Sequence, residues 1–282
     1  MRVFIAVDME GATGVVHPDQ LTPEGRNYAQ AQRLLTADIN AVIQGVLDVH
    51  PHAEFIVGDG HATMRNVLLE ELHTSATLVT GSATTANKPL CQLEGIQYGA
   101  DVAMCIGYHS KAGTQGGLLA HTFIGSLIAD LRMNGTSVGE VEVNAAVLSS
   151  FGVPLAMVSG NSDLESEIRR WNTTSVFVAT KTTLGPTAAI CETPAVTSAK
   201  LRKGAAAAIA SSHNWHMRDL GAVRFEVETK QQEQFLRALD HPGVIQVDER
   251  TFAVEGPSAP EAFRHLWSVC LNALGELPQW LR

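Results

Sequence analysis

Residues Arg2–Gly11 read RVFIAVDMEG, and residues Ala53–His61 read AEFIVGDGH. Both open with a short run that is apolar on both faces of an extended chain, and both stop at a carboxylate beside glycine. A strand of that kind belongs in a parallel or mixed sheet covered by helices above and below. The pattern returns in ATLVTG (Ala76–Gly81), DVAMCIGYH (Asp101–His109), PLAMVSG (Pro154–Gly160) and TSVFVATK (Thr174–Lys181). Between the first two strands lies an amphipathic stretch, roughly Tyr28 to His50. Its Leu34, Leu35, Ile39, Val42, Ile43 and Val46 recur at helical spacing. Gly139–Phe151, Asp163–Trp171 and the alanine-rich Ala195–Ser211 also read as helices, with Asn161, Ser162 or Asp163 capping the second of them.

From about Gly221 the rhythm changes. AVRFEVE alternates like a half-buried strand, QQEQFLRAL reads as a helix, VIQVDE and TFAVEG as short strands, and PEAFRHLWSVCLNAL as a closing helix. The chain is therefore expected to be α/β, with a mostly parallel central sheet and flanking helices over residues 1–215. A smaller α+β module over 216–282 should follow and pack on it.

The bulk composition suits a compact globular protein: 282 residues, 45% hydrophobic and 17% charged. A net charge of −9 argues against nucleic acid or an anionic membrane surface as the main partner. The apolar run Met1–Val7 is ended by Asp8 and Glu10 too early for a signal peptide or a membrane span. Cys91, Cys105, Cys191 and Cys270 are scattered without C-x-x-C spacing and read as reduced thiols of a cytoplasmic protein.

In open α/β sheets, ligands bind beyond the carboxyl ends of the strands. Four such ends carry ionisable groups here: Asp8 and Glu10, Asp59 and His61, His109, and the nearby segment with His121. Asp8 and Glu10 are spaced so that a strand would turn them to one side, where they repel unless a cation or a proton lies between them. Alone, such a pair describes many solvated strand ends, and a lone strand-end histidine more often caps or packs than binds metal. Imidazoles and carboxylates at neighbouring strand ends together form the nitrogen and oxygen set favoured by zinc and related divalent ions. The glycines of Gly113–Gly117 lack the Lys-Ser/Thr of a P-loop, and no G-x-S-x-G is present. Glu140 opens a helix, where an acid is favoured by the helix dipole alone.

At these residues the chain resembles the D-aminopeptidase family of dinuclear zinc peptidases. The resemblance rests on an ordered series: VDMEG (Val7–Gly11), RNY (Arg26–Tyr28), GDGH (Gly58–His61), IGYH (Ile106–His109), AHTF (Ala120–Phe123) and NGTSVGEVEVNA (Asn134–Ala145). It implies two divalent ions per subunit, zinc in that family, with Asp8 bridging them. Glu10 and His61 would complete one ion, and His109 and Glu140 the other. His121 would be the additional catalytic histidine, with its role as base, acid or nucleophile left open. A hydroxide held by the ions would attack the amide bond after an unblocked N-terminal residue of a small peptide or amide, D-amino-acid peptides among them. A homo-oligomer is also implied, a decamer in that family.

Two rival readings share these residues: an amide hydrolase acting on L-peptides or a specialised small amide, and a non-catalytic metal- or ligand-binding protein. In support of the site, Asp59 is a candidate to orient a histidine, and Asn144, one helical turn after Glu140, to hydrogen-bond nearby. His213 and His216 read as part of a connecting loop, and Trp171, Trp215, Trp267 and Trp280 as packing or interface residues.

Overall fold

The computed structural model describes residues 1–82, 84–171 and 174–276. Trp280 lies outside the described residues. The larger sheet contains β1 (Arg2–Val7), β2 (Glu54–Asp59), β3 (Ala76–Val79), β4 (Val102–Tyr108), β7 (Leu155–Asn161), β8 (Val176–Gly185) and β9 (Ala188–Cys191). Their order is β3-β2-β1-β4-β7-β8-β9. Every pairing is parallel except the β8–β9 hairpin at one edge.

Alternation along β1 explains why its sequence is apolar throughout. Val3, Ile5 and Val7 join a core with α1 (Tyr28–Val49) and α4 (Pro194–Ala210). Phe4 and Ala6 join the opposite core, which includes α2 (Glu140–Ser150). The short α3 (Glu165–Trp171) follows β7, as its sequence suggests.

A second sheet, antiparallel throughout, has the order β11-β12-β10-β5-β6. The C-terminal segment supplies β10 (Val223–Thr229), β11 (Ile245–Gln246) and β12 (Thr251–Gly256), with α5 (Gln232–Leu239) and α6 (Ala259–Leu274) packed on them. The remaining strands, β5 (Ile128–Met133) and β6 (Thr136–Ser137), come from the first half of the chain. The small module is thus built from two separate pieces of sequence, and its core runs into that of the larger sheet through α2 and α6. Among the described residues, no helix is long and apolar enough to cross a membrane.

Candidate metal centre

The chain leaves β1 at Val7, so Asp8 and Glu10 lie in a turn beyond the strand, and strand alternation does not set their facing. The turn is held against the end of β4, where Asp8 N–H donates to Ile106 O at 2.9 Å and Gly11 N–H to Gly107 O at 2.7 Å. So close a crossing leaves no space for a side chain. A Cβ at Gly11 would stand 1.9 Å from Tyr108 O, and Gly107, at φ +82°, would place one 2.1 Å from Asp8 O.

The far side of the turn is also clamped. Lys181, buried in the middle of β8, donates to Glu10 O at 3.0 Å and Ala12 O at 2.6 Å, and Thr180 Oγ1 donates to Gly11 O at 2.6 Å. Asp38 of α1 accepts from Thr13 N–H and Oγ1.

This scaffold brings all six sequence-predicted residues together. His61 Nδ1 lies 3.3 Å from Asp8 Oδ1 and 3.0 Å from Glu10 Oε2. His109 Nε2 lies 3.2 Å from Asp8 Oδ2 and 3.4 Å from Glu140 Oε1. Asp8 therefore turns one oxygen to each histidine. His121 is stacked on His109 at 4.1 Å, with Nε2 3.9 Å from both Glu10 and Glu140. Asp8, Glu10, His61, His109 and Glu140 are buried, while the His121 side chain is 23% exposed.

Each imidazole is oriented by a backbone carbonyl: His61 Nε2–H donates to Leu21 O, His109 Nδ1–H to Ser110 O, and His121 Nδ1–H to Leu119 O. The other ring nitrogen, carrying the lone pair of the neutral ring, then faces the cluster.

Asp59 does not touch an imidazole. It accepts from Asn66 and Val67, and Asn66 Nδ2 in turn donates to His61 O at 2.6 Å. Asn144 donates to Gln92 Oε1 at 2.6 Å, and Gln92 Nε2 donates to Glu140 Oε2, whose partner oxygen Oε1 accepts from Phe123 N–H. No motif or spacing marks Gln92 in the sequence, because it lies in a one-turn 3-10 segment (Cys91–Leu93), far along the chain from Glu140. Lys181 closes a quoted strand, but nothing in its spacing marks it as the clamp on Glu10. His213 and His216 are exposed after α4, away from the cluster.

The charge pattern shows a demand for cations. Burial works against a charged Glu10, yet the three neighbouring histidines outweigh it and hold the carboxyl well below the usual range. Burial likewise disfavours charged His61 and His109, but the carboxylates push both imidazoles well above their ordinary value. Even so, buried Asp8 Oδ2, Glu10 Oε2 and His109 Nε2 have no hydrogen-bond partner. Buried polar atoms are otherwise almost always satisfied. Three orphaned ligand atoms in one cluster fit a bound metal, and Asp8-Glu10-His61 and Asp8-His109-Glu140 each place ligand atoms within 4.8 Å of one another.

The cluster opens into a cavity of about 900 Å³. Its wall contains an unusual set of backbones. Ala62, Met64, Cys91, Leu119 and Phe123 all have φ between 41° and 55°. Among the described residues the one other non-glycine residue with positive φ is Asn134, in the turn before Gly135. Left-handed backbone costs a non-glycine residue about 1–2 kcal/mol. Trp267 of α6 also lines the cavity while packing on Phe123 and Phe263, so it serves a site as well as a core.

The family model for the peptidase M55 family, D-aminopeptidase, matches residues 1–268. The chain belongs to the D-aminopeptidase family. The D-aminopeptidase of Bacillus subtilis (strain 168) is 30% identical to it over 195 residues, which is 69% of this chain and 69% of that protein. Among solved structures, the Zn-dependent D-aminopeptidase DppA from Bacillus subtilis, described as a self-compartmentalizing protease, superposes with a TM-score of 0.90 at 25% identity. That match covers 98% of this chain and 99% of the other. The second sheet is thus part of the family fold, since the match spans both sheets.

Proposed function

We propose that this member of the family is a zinc-dependent aminopeptidase that hydrolyses the amide bond after an unblocked N-terminal residue, with D-amino-acid peptides among its substrates. The observation that carries it is the convergence of the orphaned Asp8, Glu10 and His109 atoms in one buried cluster beside a cavity that Asp8 and Glu10 line. Asp8, Glu10 and His61 would hold one ion, and Asp8, His109 and Glu140 a second, so that Asp8 would serve both. Zinc, when bound, supplies Lewis acidity that polarises a carbonyl and makes water acidic enough to attack near neutral pH.

The chain's own groups supply the rest. Because Leu119 O takes the Nδ1–H of His121, its Nε2 is free to accept a proton at the cavity face. It takes that proton from the attacking water and returns it to the leaving amine as the C–N bond breaks. Gln92 and Phe123 N–H fix the two oxygens of Glu140, leaving its carboxylate one orientation.

The relative's self-compartmentalizing character supports assembly of this chain with copies of itself, and we extend it to the decamer. Light scattering on the purified protein should then give ten times 30.2 kDa. The four free cysteines support a reducing compartment, the cytoplasm.

The experiment is metal analysis joined to an activity panel of D- and L-aminoacyl amides and dipeptides. His109→Ala should lose metal. His121→Ala should keep it while kcat falls at least 100-fold. A fully active His121→Ala protein contradicts the proton role. A zinc-loaded protein that cleaves no unblocked substrate contradicts the aminopeptidase reading in favour of a binding protein.

A further inference from the structure

Apart from Asp8, Glu10, Glu140, His61 and His121, no ionisable acid, lysine, arginine or histidine lines the cavity among the described residues. The remaining wall is apolar or neutral. Met64, Cys91, Phe123 and Trp267 belong to one continuous hydrophobic cluster. Phe123 is anchored beside Glu140 by its own N–H, at 2.7 Å. Leu119 stands beside His121, whose ring donates to its carbonyl at 3.0 Å.

The backbone makes this wall informative. At φ between 41° and 55°, glycine or asparagine is the economical residue, yet the chain places Ala62, Met64, Cys91, Leu119 and Phe123 there. Strain of this kind persists where the surroundings impose it and gathers at ligand sites. Phe123 and Leu119 are only partly buried, so core packing uses only part of their apolar surface.

We propose, resting on the aminopeptidase reading above, that the residue next to the scissile bond carries a bulky, uncharged apolar side chain seated on the wall formed by Met64, Leu119, Phe123 and Trp267. Charged side chains are rejected because the wall offers them no counter-charge and removes their water. Phe123 and Leu119 are the specificity-determining residues, since each lines the cavity, is only partly buried, and is tied through its backbone to a group of the catalytic cluster.

The test uses the zinc-loaded full chain and a panel of alanyl, leucyl, phenylalanyl, glutamyl and lysyl amides in both stereochemical forms. Leucyl and phenylalanyl amides should be cleaved with kcat/KM at least 30-fold above the glutamyl and lysyl amides of the same hand. Phe123→Asn and Leu119→Asn suit left-handed backbone and keep the N–H and C=O bonds to Glu140 and His121. In both, the preference for leucyl over alanyl amide should fall at least 10-fold, mainly through KM, with metal content unchanged as a check on folding. A second readout is the rise in Tm on adding phenylalanine, leucine, glutamate or lysine to the zinc-loaded protein. The apolar amino acids should raise it more than the charged ones, and the Asn variants should lose the difference. Equal cleavage of charged and apolar amides, or a preference for charged ones, overturns the proposal while leaving the aminopeptidase reading intact. If no amide is cleaved, that reading fails and the Tm comparison alone decides, equal shifts overturning the apolar site.

Discussion

Glu140 is held by bonds that its own neighbourhood in sequence does not contain. Gln92 lies at the centre of them: its amide donates to Glu140, while its carbonyl accepts from Asn144 and from the Tyr108 hydroxyl at 2.9 Å. Replacing Gln92 by Leu would take the donor from Glu140 Oε2 and leave buried Asn144 and Tyr108 with only the 3.0 Å bond between them. Groups that orient a metal ligand typically change affinity 10–100-fold when removed. Zinc affinity of Gln92→Leu, measured by competition with a chelator, should fall within about that range. An unchanged affinity would mean that Phe123 N–H alone orients the carboxylate. The sequence displays Asp8, Glu10, His61 and His109 because strand ends mark themselves by an abrupt change from apolar to ionisable residues, whereas His121, grouped with them in the sequence, lies in the loop between β4 and β5. Glu140 carries no such mark and stands out only within the ordered motif series, and Gln92 has neither.

At the scale of elements, the site depends on turns pressed against strand ends. A methyl group at Gly11 would meet the Tyr108 carbonyl at 1.9 Å, a backbone atom that has no room to withdraw. Gly11→Ala should therefore cost at least about 3 kcal/mol, the upper part of the usual overpacking range. Urea unfolding checks this, and a loss below about 1 kcal/mol would mean that the turn can shift.

α3 acts on the other side of the site, where Glu167 accepts from Lys111 N–H and Thr114 Oγ1 in the loop that leads to His121. Burial, helped by the charge of Glu142, lifts the Glu167 carboxyl from 4.5 to about 7, against the pull of the Lys111 backbone bond. The folded chain thus holds a proton there that the unfolded chain releases near pH 4.5. Its contribution to stability is full below pH 4.5 and is lost as pH climbs through about 7. Glu167→Gln should flatten the fall in urea midpoint between pH 5 and 8 relative to the parent. An identical slope would show that the carboxyl is ionised throughout. Strand identity was readable where both faces are buried. β5 was not: Asp130 and Arg132 alternate through it, paired to each other at 2.9 Å, and give it the look of a loop.

Over the whole molecule, the two sheets depend on each other. The sequence changes its hydrophobic rhythm from about Gly221, which suggests a separate module over 216–282, yet β10 pairs with β5 from well before it. Such a pairing is set by contacts almost a hundred residues apart, which periodicity does not report. A chain ending at 215 would leave β5 paired only with the two-residue β6, uncover the core shared by α2 and α6, and remove Trp267 from the cavity. We expect that fragment to be insoluble or to lack a cooperative thermal transition and a near-ultraviolet dichroism signal. A soluble fragment with a sharp transition would show that the larger sheet folds alone.

The left-handed positions around the cavity also set how the chain tolerates random change. At Leu119 and Phe123, substitutions to glycine or asparagine relax the backbone. Selection for folding alone would therefore drift those positions toward small or polar residues. Selection for turnover would hold them against that drift. Two saturation libraries from this gene, one sorted on soluble expression and one on hydrolysis, should diverge most at these cavity positions, marking the active site without any substrate-bound structure.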